Sequence, residues 1–297
     1  RRPPRSTLFP YTTLFRSREI LKLPEAKVQK YLAAVEKEAN SWLEWKSIRP
    51  LSDDEASKVL AHPVLSKRVL SARGAYRDKN RGQGELKAKC RIVALGHRDP
   101  DLFRLDRSSP TPSRSTEHFM FAAMVAGFNG EFAASDHLWR SWLGDASTAF
   151  LQGTQEDAKR PMALFMFAPR DGLIDRTNCW KARLYEVLGN IYGLPNAPFL
   201  WTTHVIKIMI DLNYVQHSWD KMLFVKYDEA GHPLSLVMVY VDDFIGLYRS
   251  DYNIEELHSR FSWGDLSEFQ MNEVKTFKGK QLCFCKNPAG RTVLKVT

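Results

Sequence analysis

The most constraining feature of this sequence is an apolar stretch with two adjacent acidic residues inside it. Residues 234–248 read LSLVMVYVDDFIGLY, so apolar side chains flank Asp242 and Asp243 on both sides. Two strands joined by a tight turn would place both carboxylates at the tip of a hairpin. Adjacent carboxylates repel one another and resist burial unless a cation offsets them, and hard divalent cations prefer carboxylate oxygen. The pattern predicts a metal site, with an ordinary surface turn as the alternative.

The charge of the chain bears on its partners. The formal net charge is +9, which favours a polyanion such as nucleic acid. Residues 1–17 carry four arginines and no acidic residue, and the rest of the chain carries only +5. Charge alone therefore leaves nucleic-acid binding open. The hydrophobic fraction of 44% and the charged fraction of 26% are typical of a soluble globular chain.

The first seventeen residues need separate treatment. Residues 7–17, TLFPYTTLFRS, look like the in-frame translation of a sequencing adapter. We therefore leave residues 1–17 out of fold reasoning. The alternative is a disordered basic arm.

The sequence offers no support for a zinc site, a membrane span or a common nucleotide-binding motif. Of the four cysteines only Cys283 and Cys285 are close, and C-x-C without a second pair is a poor zinc site. This usage favours a reduced intracellular compartment. The sequence shows no signal peptide, no apolar run long enough to span a membrane, no P-loop and no dinucleotide fingerprint.

The pattern of apolar residues predicts helices and strands that do not alternate regularly, which favours an α+β fold. Helices are predicted over residues 24–46, from a cap at Ser115 to about residue 128, over 198–213 and near 253–261. Strands are predicted over 87–96, within 138–153, over 222–228, within 234–248 and as short runs in 274–297.

The acidic pair belongs to a larger set of ordered motifs. Tyr240-Val241-Asp242-Asp243 resembles the Y-x-D-D motif of reverse transcriptases, and YVDD is the form typical of copia-type retrotransposons. Further segments are similar to that family in the same order: KCRIVALG at 89–96, DASTAFLQG at 145–153, YGLPNAPFLW at 192–201, SWDKMLFV at 218–225 and TFKGKQL at 276–282. Several ordered motifs are more specific than any one of them. The resemblance covers residues 30–297.

This resemblance implies an RNA-directed DNA polymerase with the fingers and palm of a right-hand fold. The N-terminal helix and fingers region would occupy residues 18–135, the palm 136–280 and a truncated end 281–297. The palm would be an antiparallel sheet backed by helices. Two Mg²⁺ ions, with Mn²⁺ as the alternative, would be held by Asp145, Asp242 and Asp243 for nucleotidyl transfer. For Asp145 the alternative is a helix cap.

The same resemblance implies a set of nucleotide-binding residues. Lys89 and Arg91 alternate on a strand and so face one way, over the triphosphate by resemblance, with a solvated basic face as the alternative. Phe150 would lie under the sugar of the nucleotide, with a core position as the alternative. The implied nucleotide-binding residues are Lys89, Arg91, Phe150, Gly193, Asn196 and Tyr240.

The chain also departs from the family pattern in places. Asn196 replaces the usual glutamine and Leu95 replaces a frequent lysine, and Gly144 stands just before the first acid. Asn is one methylene shorter than Gln, so the side chain at position 196 reaches less far than the family's glutamine.

The implied partners are an RNA or DNA template with its primer and deoxynucleoside triphosphates, without a membrane. The thumb, ribonuclease H and integrase regions of a parent polyprotein are expected outside this chain. The expected location is intracellular, in a cytoplasmic virus-like particle or in the nucleus. The alternative function is a catalytically inactive fragment that binds nucleic acid or acts as a scaffold. A metal nuclease is a third class, which does not need the YVDD hairpin.

Overall fold

The computed structural model describes residues 15–80, 82–131, 138–153 and 160–297. Residues 1–14, which include most of the adapter-like segment 7–17, lie outside these described residues. The helices are α1 Ser17–Ile20, α2 Glu25–Glu44, α3 Asp53–Ala61, α4 Arg114–Phe128, α5 Ala149–Gln152, α6 Ala197–Asp211 and α7 Glu255–His258. The strands are β1 Ile48–Pro50, β2 Val69–Leu70, β3 Ala72–Asp78, β4 Ala88–Ala94, β5 Trp139–Ala146, β6 Leu164–Phe167, β7 Leu184–Val187, β8 Val215–Gln216, β9 Leu223–Tyr227, β10 Pro233–Tyr240, β11 Asp243–Arg249, β12 Trp263–Glu268, β13 Val274–Phe277, β14 Lys280–Lys286 and β15 Thr292–Val296. No helix in these ranges is long and apolar enough to cross a membrane.

The chain forms two compact units, and each unit is built from two separate stretches. Unit one contains Arg1–Arg107 and Phe150–Leu200, and unit two contains Ser108–Ala149 and Trp201–Thr297. The division into fingers at 18–135 and palm at 136–280 follows other bounds and stays a prediction.

Unit one is organised around α2, which the apolar spacing predicted. The helix begins after Pro24 and buries Val28, Val35, Ala39 and Trp42, so the predicted helix over 24–46 is confirmed. The same face also buries an acid that the apolar pattern does not explain, Glu38. Its carboxylate accepts hydrogen bonds from Trp42 Nε1 and from the backbone N–H of Ile92 in β4, both at 3.1 Å.

Strands β3 and β4 form an antiparallel hairpin in unit one. The connection between them is held by Asp78, whose carboxylate accepts the backbone N–H groups of Asn80, Gly82 and Lys87. The predicted strand over 87–96 is confirmed as β4. A second, four-stranded sheet in this unit has the order β1-β7-β6-β2, in which only β2 and β6 run parallel.

Unit two is built on a six-stranded antiparallel sheet of order β12-β5-β11-β10-β9-β8. Helix α4 packs its methionines Met120 and Met124 against Met238, Ile245 and other apolar residues of this sheet and of the β13-β14-β15 sheet. The predicted strands at 222–228 and within 234–248 are confirmed, and the second of these is the hairpin β10–β11. The α+β class with an antiparallel main sheet is therefore confirmed.

Two helix ends differ from the sequence prediction. Ser115 was expected to cap α4, but Ser113 is the cap, and its hydroxyl accepts the backbone N–H of Thr116. The carboxylate of Asp220, distant in sequence, accepts the N–H of Ser113 and so favours the earlier start. The helix predicted near 253–261 spans only Glu255–His258, because Phe261 and Trp263 enter an aromatic cluster beneath the sheet.

Candidate active site

The acidic pair lies at a turn of two residues in unit two. Tyr240 pairs with Asp243 across the β10–β11 hairpin, which leaves Val241 and Asp242 as the turn. Val241 has a φ of 58°, which the first central position of hairpin turns requires but a β-branched residue rarely adopts. The indole Nε1 of Trp201 donates a 2.6 Å hydrogen bond to the carbonyl oxygen of Val241. A buried helix residue thus holds this strained turn.

Asp145 lies on the neighbouring strand, directly opposite Asp243. Strands β5 and β11 are antiparallel with Asp145 paired to Asp243, so the two side chains project from the same face with Cβ atoms about 4.5–5.5 Å apart. The backbone N–H of Ala146 donates to the carbonyl oxygen of Asp242 at 2.8 Å. Asp145 therefore lies inside a strand beside the acidic turn, and the helix-cap alternative is wrong.

A fourth acid, which the sequence reasoning missed, stands on the other side of Asp145. Strand β12 pairs Asp265 with Asp145, after an irregularity that leaves Gly264 without a partner. A Cβ atom at Gly264 would lie 3.2 Å from Asp145 Oδ2, so the glycine leaves room for that carboxylate. No local pattern marks Asp265. Only the pairing of β12 with β5 reveals it.

The carboxylates of this site affect one another electrostatically. Burial and the charge of Asp242, with a smaller contribution from Asp145, raise the pKa of Asp243 to about 7. The backbone N–H of Lys278 donates to Asp243 Oδ2 at 3.2 Å and acts in the opposite direction. The repulsion shows that negative charge is concentrated where a cation would be stabilised.

The donor atoms fit a hard cation in chemical type. Carboxylate oxygens are the ligands that Mg²⁺ prefers. Within the described ranges, however, no group of three or more His, Cys, Asp or Glu side chains is already arranged as a metal site. Asp145, Asp242 and Asp243 lie at the same end of the neighbouring strands β5 and β11, and their side chains would have to reorient around a shared ion.

The opposite face of the sheet is filled by aromatic rings. Trp201, Phe244, Phe261 and Trp263 contact one another with ring centroids 5.0–6.5 Å apart. This packing explains Gly144, because a Cβ atom there would lie 2.5 Å from the ring of Trp263. The residue that departs from the family pattern just before Asp145 is therefore required by the packing beneath the carboxylates.

Tyr240, the aromatic residue of the YVDD motif, is half-buried beside this turn. The ammonium of Lys278 lies 4.1 Å from the centre of its ring. Contact between Tyr240 and a nucleotide stays a prediction.

Lys89 and Arg91 lie in unit one, on the same face of β4 as predicted. Arg77 pairs with Lys89 across the β3–β4 hairpin and adds a third cation. Burial first, and then the charges of Arg91, Lys79 and Arg77, lower the pKa of Lys89 to about 7. Crowded cations of this kind favour an anionic ligand.

Gly193 acts within unit one as a close contact between two backbones. Its φ is 93°, and a Cβ atom there would lie 2.1 Å from the carbonyl oxygen of Ala94. The neighbouring Tyr192 accepts the backbone N–H of Ala94 at 2.8 Å, and its ring lies 4.5 Å from the guanidinium carbon of Arg91. The glycine thus lets the loop at 192–196 dock on the strand that carries the basic residues.

Asn196 and Phe150 are both buried in unit one. Asn196 is 1% exposed, and its side-chain oxygen accepts a hydrogen bond from Arg160 at 3.3 Å. Arg160 also pairs with Asp99 at 2.8 Å, so Asn196 belongs to a buried ionic network. Phe150 is 4% exposed, with its ring 5.6 Å from that of Tyr192. Nucleotide contacts from both residues stay predictions.

Comparison with known proteins agrees with these motifs. Residues 55–283 match the family described as "Reverse transcriptase (RNA-dependent DNA polymerase)". The retrovirus-related Pol polyproteins from transposons RE2 and RE1 of Arabidopsis thaliana are each 27% identical to this chain, over 186 and 180 residues. These matches cover 62% and 60% of this chain but 11% of each plant polyprotein.

Two further similarities are more limited. The putative transposon Ty5-1 protein of Saccharomyces cerevisiae is 27% identical over 128 residues, which cover 42% of this chain and 38% of the yeast protein. Among solved structures, telomerase from Candida albicans in complex with a fragment of telomeric RNA is 8% identical with a TM-score of 0.42. That similarity covers 84% of this chain and 47% of the telomerase chain.

Proposed function

Because the chain belongs to the reverse transcriptase (RNA-dependent DNA polymerase) family, we propose that the carboxylates at the shared end of strands β5 and β11 in unit two catalyse templated DNA synthesis. The observation that carries the proposal is the pairing of Asp145 with Asp243 beside the turn that presents Asp242. Asp145, which is almost a hundred residues away in the sequence, thereby lies beside the adjacent pair Asp242 and Asp243. Family membership shows the polymerase class, and the nucleotidyl-transfer site is our assignment.

The carboxylates would hold the metal ions in this proposal. Two Mg²⁺ ions, or Mn²⁺, would supply activation of the attacking hydroxyl and stabilisation of the leaving oxygen when bound. Asp145, Asp242 and Asp243 are the residues that would hold them. Trp201 holds the carbonyl of the turn, and the backbone N–H of Lys278 restrains one oxygen of Asp243.

The proposed substrates are deoxynucleoside triphosphates and a primer on an RNA or DNA template. Lys89 and Arg91 are proposed to bind the triphosphate, because their face of β4 concentrates positive charge. Phe150, Gly193 and Asn196 of unit one are further proposed nucleotide-binding residues, and Tyr240 is proposed separately as a nucleotide-binding residue of unit two. An intracellular location, in a particle or the nucleus, and a parent polyprotein with thumb, ribonuclease H and integrase regions belong to the same proposal.

Primer extension on an RNA template with Mg²⁺ tests the assignment. Asp242→Asn and Asp145→Asn should each lower extension by about a hundredfold or more, which corresponds to roughly 3 kcal/mol of transition-state stabilisation. The matched control is Asp211→Asn, an exposed acid on α6 of the same unit, which should leave the rate unchanged. Extension that is unaffected by Asp242→Asn would contradict the proposal. Binding of primed template without any extension would support the inactive scaffold instead.

A further inference from the structure

The β13–β14 hairpin ends in a turn that lies beside the carboxylates of unit two. Phe277 pairs with Lys280, which leaves Lys278 and Gly279 as the turn, with φ values of 51° and 77°. These left-handed conformations are those that two-residue hairpin turns require. The turn directs the backbone N–H of Lys278 toward Asp243 Oδ2, at 3.2 Å.

The side chain of Lys278 is held in place by a buried acid. Its ammonium lies 2.8 Å from Glu117 Oε2 and 4.1 Å from the centre of the Tyr240 ring. Glu117 is 2% exposed in the first turn of α4 and also pairs with Lys280. A buried carboxylate of this kind is stable only while its cationic partners remain. Glu117 therefore fixes where the ammonium of Lys278 lies.

The two lysines differ in what they reach. Both bind Glu117, but within the described residues Lys278 alone of the two also contacts the acidic hairpin, through Asp243 and Tyr240.

We propose that Lys278 is a positioning residue of the candidate active site, held by Glu117 so that its backbone N–H restrains Asp243 and its ammonium supports Tyr240. One oxygen of Asp243 is then occupied by the turn, and the other remains for a metal ion. The inference rests on the proposed function, because it assigns Asp243 to a metal. The inference adds Lys278 as a residue that orients the metal-binding carboxylate of Asp243. Loss of residues that orient a metal ligand typically weakens metal affinity about 10–100-fold.

The test compares Lys278→Met with Lys280→Met, since each removes one of the two cations on Glu117. Mn²⁺ binding is measured by calorimetry, and primer extension is measured as a function of Mg²⁺ concentration. Lys278→Met should weaken Mn²⁺ binding about tenfold and raise the Mg²⁺ concentration for half-maximal extension by a similar factor. Lys280→Met should change both by less than about twofold, and Lys278→Arg should recover most of the loss because it retains the cation.

Equal losses in Lys278→Met and Lys280→Met would overturn the inference, because the network would then be purely structural. The inference would also be overturned if Lys278→Met left Mn²⁺ binding and the Mg²⁺ dependence of primer extension unchanged. If Lys278→Met does not fold, Glu117→Gln/Lys278→Met removes both charges, and it should show the same tenfold loss. A wild-type chain whose Mn²⁺ binding is absent or insensitive to Asp243→Asn would contradict the proposed function itself, and this inference with it.

Discussion

The hydrogen bond between Trp201 and the acidic turn gives the sharpest test of how the site is held. Trp201 is 1% exposed, and its indole N–H is the donor to the carbonyl of Val241 at 2.6 Å. Trp201→Phe keeps an aromatic ring beside Phe244 and Phe261 but removes this donor. We expect the variant to be destabilised and its turn to be loosened, because a residue with a φ of 58° depends on its surroundings to keep that conformation.

The expected magnitude follows from the groups involved. This hydrogen bond is part-buried, and a typical intramolecular hydrogen bond contributes about 0.5–1.5 kcal/mol to stability. Trp142 is the matched control, because it is fully buried in the same aromatic cluster and its Nε1 has no hydrogen-bond partner within the described part of the chain. Trp142→Phe removes the same atoms without removing a hydrogen bond. Trp201→Phe should therefore lower the free energy of unfolding by about 0.5–1.5 kcal/mol more than Trp142→Phe does.

Urea denaturation of both variants measures this difference. A second comparison uses Val241→Gly, in which glycine adopts the positive φ without strain. If Trp201 holds a strained turn, Trp201→Phe should lower the free energy of unfolding less in the Val241→Gly background than in the wild-type chain. The difference, which is the coupling energy of the two substitutions, should exceed about 0.5 kcal/mol. Equal destabilisation by the two tryptophan variants, together with additive effects of Trp201→Phe and Val241→Gly, would refute this reasoning.

Two further predictions concern unit one. Lys89 has a folded-state pKa of about 7, below its ordinary 10.5, so the folded chain binds fewer protons than the unfolded chain between these values. Lys89 therefore makes the free energy of unfolding rise with pH over that window. In Lys89→Met, the free energy of unfolding measured by urea denaturation should rise less steeply between pH 7 and pH 9. An unchanged dependence on pH would contradict the lowered pKa of Lys89. Gly193→Ala should cost several kcal/mol and disrupt the loop on β4, because its Cβ would collide with Ala94. Gly84→Ala, which also has a positive φ but nothing within 4 Å, should cost only about 1 kcal/mol, and equal costs in thermal unfolding would argue against the backbone contact.

Much of the local structure was predictable because it depends on short-range periodicity. The spacing of Val28, Val35 and Trp42 sufficed for α2, and the apolar residues around Asp242 sufficed for the β10–β11 hairpin. Alternation along β4 likewise sufficed to place Lys89 and Arg91 on one face. In each case the side-chain direction follows from the backbone repeat of a single element.

The features that the sequence did not predict correctly depend on contacts between distant segments. Ser115 was as good a helix cap as Ser113 by residue type, and a hydrogen bond from Ser113 to the distant Asp220 favoured the earlier start. No sequence pattern marked Glu38 as a buried acid, and its carboxylate accepts hydrogen bonds from the N–H of Ile92 and the indole of Trp42. Such partners lie far away in the sequence and leave no local signal.

For this protein the sequence alone determined the longer helices, the strand β4 and the hairpin β10–β11, together with the family and the acidic turn at Asp242. Only the tertiary structure decided that Asp145 pairs with Asp243, that Asp265 stands on its other side, and that Lys278 reaches the site from another hairpin. Strand pairing between distant segments is a choice of register, and a shift by one residue would turn each of these side chains to the opposite face. The register is fixed by the packing of the whole sheet on its aromatic rings and on α4. It therefore cannot be predicted from any single segment of the sequence.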